Sequence, residues 1–170
     1  NVTTHMLVNP ERAPFDNIEI RKAMLLALDR QAFIDIISQG KNFLAVNMMA
    51  PPQGGWGMPK EELAKLPSYG DPAAQRAEAI KIMEKLGYGP NNRLKVKVST
   101  RDFNTFRDPA VILVDQLNKI NFDAELEVIE SSIWYNRLFK KDYGVALNLA
   151  GAGIDDPDGV LKMGFQCNSD

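Results

Sequence analysis

The chain has 170 residues, with 20 Lys and Arg against 22 Asp and Glu, a net charge of −2 and 45% hydrophobic residues. This is the balance of an ordinary globular domain, without the basic excess of a dedicated nucleic-acid binder or the run of about 18 apolar residues that spans a membrane. One Cys and one His, Cys167 and His5, fall short of the four ligands of a structural zinc site and leave no disulfide within the chain.

Thr4 to Asn9 reads as a strand, followed by a turn from Pro10 to Asp16. Ile18, Ile20, Ala23, Met24, Ala27 and Leu28 then recur at helical spacing, with Asp16 or Asn17 as N-cap. Ala32 to Ile37 predicts a second helix that Gly40 ends. Residues 41–60 read as a long Gly/Pro-rich loop with Trp56 at its centre. Asp71-Pro72 opens a third helix with an apolar stripe of Ala73, Ala77, Ile80, Met83 and Leu86, stopped by Gly87. Leu94 to Val98 alternates as a strand, and residues 99–107 read as a polar loop. Asp108-Pro109 repeats the capping device before a nearly all-apolar helix through Ile120. Ala124–Ile129 is a second alternating strand. A helix over about 133–140 follows, capped by Ser131 or Ser132, and Val145–Leu149 is a third strand. Asp156-Pro157 opens a last short helix.

Strand and helix alternate at βαβ spacing, which predicts an α/β sheet with helices on its faces. Ligands in such sheets lie beyond the carboxyl ends of the strands, here near 99–107, 130–132 and 150–156. Trp56 and Phe103 are the aromatic candidates for ligand contact, because Gly/Pro-rich loops and strand ends present side chains outward.

Catalytic and cofactor motifs fail on inspection. Gln53 to Gly57 lacks the preceding strand and the Gly-Lys-Ser/Thr of a phosphate loop. A calcium loop begun at Asp156 would place Cys167 where a bidentate Glu belongs. No nucleophile has a base and an orienting partner, so we expect no enzyme, no cofactor and no metal site.

Several motifs in order carry a resemblance. Pro14 to Ala23 with Ala27-Leu28-Asp29-Arg30 resembles the "FDN-x-x-x-R-x-A…A-x-D-R" signature of family 5 bacterial extracellular solute-binding proteins, the dipeptide-, oligopeptide- and nickel-binding class of ABC importers. Gln39-Gly40 with Pro51-Pro52 and Trp56, Tyr69 to Pro72 with Leu86-Gly87-Tyr88, Gln116 to Ile120, Lys141-Asp142-Tyr143, and Asp156-Pro157-Asp158 agree in the same order. The resemblance implies a periplasmic-binding-protein-like (type II) lobe, with a mixed sheet flanked by helices. Residues 1–170 would be one C-terminal ligand-binding lobe of a two-lobed periplasmic protein, its N-terminal lobe missing. It implies capture of a small solute between lobes for a membrane permease, with no nucleic-acid partner. A stand-alone interaction or sensing domain is the alternative.

The departures from the family pattern point to the pocket. Where peptide-binding members place an Asp that pairs with the peptide's α-amino group, this chain has Gly153. Trp positions common at the end of the third strand and the start of the preceding helix are here Ala150 and Ser131. A buried ammonium without a carboxylate is costly, so the resemblance implies a solute other than a short peptide held by a free amino terminus: a sugar-like, opine-like or modified peptide compound. Asp155, Arg101 and Asn104 would supply replacement polar contacts. Cys167 matches a family Cys that pairs with a later one, a disulfide expected only with a partner outside this sequence.

Overall fold

The computed structural model describes residues 2–42, 44, 54–151, 156–158 and 162. Four strands form one sheet in the order β1-β4-β2-β3. β1 is Val2–Val8, β2 Leu94–Arg101, β3 Phe122–Ile129 and β4 Val145–Gly151. β2 runs parallel to β3 and β4, and β1 runs antiparallel to β4, so the sheet is mixed, as expected.

The helices follow from caps and stripes. α1 (Ile18–Leu26) starts at Asn17, whose side chain accepts from the Glu19 N–H, and it buries Ile20, Ala23, Met24 and Leu26. α2 (Arg30–Ser38) starts at Asp29, whose side chain accepts from the Ala32 N–H. A short α3 (Lys60–Leu63) begins where the segment read as loop, 41–60, ends. α4 (Pro72–Lys85) has Asp71 as N-cap and Pro72 at its first position, as read from the sequence. It ends at Gly87, whose φ of +89° only glycine adopts without strain. Ile80, Met83 and Leu86 of the expected stripe pack on the core together with Ala79 and Ile82, whereas Ala73 and Ala77 are exposed.

The expected loop at 99–107 is corrected on both sides. Ser99 to Arg101 continue β2, and α5 (Asn104–Asn118) begins one turn before Asp108. Phe103 holds the N-cap position without a side-chain bond, and Pro109 lies inside the helix. Helix geometry reaches back past the proline because Pro109 and Ala110 are buried in the core. α6 (Ser131–Phe139) also starts earlier than expected, with Glu130 at its N-cap position. Ser131 is a helical residue rather than the cap.

The sheet separates two cores. Even-numbered β2 residues Leu94, Val96 and Val98, with Phe122, Ala124, Val145 and Leu147, pack against α1, α4 and α5. Opposite them, Trp134 of α6 packs on Ile129 and Ala146 beside Leu7, Leu138 and Tyr143. The carboxyl ends of β2, β3 and β4 therefore meet on one rim, with the starts of α5 and α6 beside them.

Candidate ligand-binding site

β2 leads through α5 to β3 on one side, and α6 returns the chain to β4 on the other. The gap between β2 and β4 is therefore the topological switch point, where open α/β sheets leave a crevice. The pairing shows it: β2 and β4 meet only at Val98↔Val145 and Ser99↔Ala146. Beyond them the buried Thr100 hydroxyl spans the strands, 3.2 Å from the Leu147 carbonyl and 3.3 Å from that of Phe106.

Arg101 stands at this crevice. Its Nε donates to Ser131 Oγ at 2.9 Å, and its Nη1 lies 3.5 Å from the Tyr135 hydroxyl. The guanidinium carbon is 4.6 Å from the centre of the Phe103 ring, 5.4 Å from Tyr135 and 5.6 Å from Phe106. Aromatic faces attract a guanidinium and restrict its motion. Nearby carboxylates are engaged elsewhere: Asp102 with Arg107, Glu127 with Lys97 and Arg137, while Glu130 accepts from the Ser132 hydroxyl. Among the described residues none forms an ion pair with Arg101. The result is a held cation at the strand ends with donors to spare, the arrangement that takes a carboxylate.

The residues expected from the sequence divide accordingly. Arg101, Phe103 and Ser131 come together in direct contact. Asn104 is exposed at the first turn of α5, next to Phe103. Ala150 is exposed near the end of β4, opposite Thr3. Trp56 is exposed and stands between α2 and α3 in the chain. Gly153, Asp155 and Cys167 lie outside the described residues, as does most of the expected last helix; within it, the Asp158 N–H bonds Asp156 Oδ1 at 2.8 Å. Sequence reading passed over Tyr135 and Phe106 as site residues. Tyr135 is four residues after Ser131, one helical turn along the same face, and that spacing was the available signal.

The family model for "Bacterial extracellular solute-binding proteins, family 5 Middle" matches residues 1–170. The chain belongs to this family. It is 38% identical over 94 residues to the periplasmic oligopeptide-binding protein OppA of Haemophilus influenzae, covering 54% of this chain and 16% of that protein. It is 26% identical over 157 residues to the oligopeptide-binding protein OppA of Bacillus subtilis, covering 91% of this chain and 28% of that one. The crystal structure of Haemophilus influenzae OppA in complex with RPPGFSPFR superimposes with a TM-score of 0.81 at 26% identity, over 99% of this chain and 33% of the other. The type II periplasmic-binding-protein fold expected from the motifs is thus shown. The chain spans about a third or less of the length of these relatives.

Proposed function

We propose that this chain is the ligand-binding lobe of a periplasmic solute-binding protein that delivers its solute to the permease of an ABC importer. The role is binding rather than catalysis. The solute is peptide-like or opine-like and carries a carboxylate. The observation that carries this reading is Arg101, held by Ser131 and three aromatic rings at the switch point and without a carboxylate partner among the described residues. A neutral sugar would leave that cation unmatched. Relatives named as oligopeptide-binding proteins support the peptide-like class. A second lobe, outside this sequence, would close over the cleft and exclude water, strengthening the ion pair.

Calorimetric titration of the intact protein tests the reading. A charge-assisted hydrogen bond contributes about 1.5–3 kcal/mol, so Arg101→Gln should weaken carboxylate-bearing solutes by about 10- to 150-fold. Unchanged affinity in Arg101→Gln, or a neutral sugar bound as well as any anionic solute, would refute it.

A further inference from the structure

The face of the sheet that carries Arg101 holds two polar groups without partners. Asn148 Oδ1 and Trp134 Nε1 are both buried and make no hydrogen bond. Trp134 is 1% exposed and packs on Ala146. Side chains alternate along a strand, so Asn148, two residues beyond Ala146, shares its face. Asn148 pairs with His5 across β1 and β4. Continuing the β2–β4 register from Ser99↔Ala146 sets Arg101 level with Asn148, and Arg101 pairs with Ile129. His5 with Asn148 and Arg101 with Ile129 are thus two paired positions that the extended register sets level across the gap.

These positions have a polarity. The head group of Arg101 reaches toward Ser131 and Tyr135 on α6, while β4 beyond the buried Ala146 carries the half-buried Asn148 and the exposed Ala150. Around Asn148 the same face carries Ala146, Ala150, His5, Thr3 and Leu7, none of them acidic. Burial lowers the pKa of His5 and keeps it neutral at neutral pH. An ammonium placed here would meet no counter-charge among the described residues, and Arg101 would repel it. An unsatisfied acceptor and an unsatisfied donor toward the same face of the sheet suit a group that offers both N–H and C=O without charge. Asn148 itself is half-buried, and the broad terminal torsion of an asparagine side chain lets its amide turn toward the cleft.

We propose that Asn148 determines specificity by accepting a hydrogen bond from an uncharged amide N–H of the solute while Arg101 takes its carboxylate, so that N-acylated peptides are preferred over free-amine ones. The proposal rests on the Arg101 reading above. The exposed Ala150 and the half-buried Ser131 leave room for an acyl group.

The test uses trialanine and N-acetyl-trialanine as matched probes in calorimetric titrations of the intact protein. The wild type should bind the acetylated probe at least tenfold more tightly. Asn148→Asp should reverse that order, because the new carboxylate gains far more from an ammonium than from a neutral amide N–H. Asn148→Ala should shrink the preference without reversing it, since Arg101 still repels the ammonium, which keeps the test available if the Asp variant folds poorly. Arg101→Gln should weaken both probes. A wild-type preference for trialanine, or a ratio that Asn148→Asp and Asn148→Ala leave unchanged while Arg101→Gln still weakens both, overturns the role of Asn148 alone. Binding of neither probe at millimolar concentration overturns the peptide-like reading as well.

Discussion

Gln116 ties the two halves of the larger core, and its removal should be costly. Its side chain is 3% exposed on α5. The Asp29 N–H donates to Gln116 Oε1 at 3.1 Å, and Gln116 Nε2 donates to the Asp29 carbonyl at 3.1 Å. One amide thus mimics a strand partner for a backbone 87 residues away, at the residue that caps α2. Gln116→Leu keeps the volume and removes both bonds. Each such bond contributes about 1 kcal/mol net, and each stranded buried group costs about 1–3 kcal/mol. Asp29 is half-buried, so water recovers part of the loss, and leucine burial offsets a little more. The expected sum is about 2–4 kcal/mol, worth roughly 4–16 °C in melting temperature for a domain of this size. Thermal unfolding of the intact protein and amide exchange at Asp29 would measure it. A shift under about 2 °C with unchanged exchange at Asp29 would refute the argument.

Other positions yield sharper local outcomes. A Cβ at Gly144 would stand 2.7 Å from Cε2 of the buried Phe15, so Gly144→Ala should destabilise by about 1–3 kcal/mol by overpacking, read from denaturant midpoints. Asp71→Ala removes the acceptor 2.8 Å from the Ala74 N–H and should cost about 1 kcal/mol, again by denaturant unfolding. Burial lowers the His5 pKa below its ordinary 6.5. The unfolded chain then binds the proton more readily, so His5 favours the fold fully above pH 6.5, and that contribution falls away as pH drops toward the folded value. His5→Gln should flatten the stability profile below pH 6.5, and a parallel profile would contradict the assignment.

Much of this was legible before any coordinates. Asn17, Asp29 and Asp71 announce helices because a side-chain acceptor before an amphipathic run has one physical use; the Asp29 cap on α2 went unread only because the stripe seemed to begin at Ala32. The alternation of Leu94, Val96 and Val98 marks a half-buried strand for the same kind of reason. Asp108-Pro109 misled because the dipeptide type that opens α4 lies inside α5, where Pro109 is buried, and burial is a tertiary fact. Arg101 and Ser131 were reached through the family resemblance, Ser131 as a departure from a common Trp and Arg101 as a replacement polar contact. Asn148 and His5 were not legible, because their alignment depends on β1 running antiparallel beside β4 and on β4 lying next to β2. Neither pairing is written in local periodicity.

The sparse join between β2 and β4 has a mechanical meaning. The sheet behaves as two ribbons, β1 with β4 and β2 with β3, stitched at two residue pairs and one threonine hydroxyl. Arg101 rides on one ribbon and Asn148 on the other. A solute that grips both adds a cross-link along the line with the fewest bonds. Occupancy should then register as stiffness in the sheet itself, with amide exchange slowing at Thr100 and Arg101 and at Asn148 and Leu149, while the well-laced ladder from Leu94 to Val98 keeps its rate.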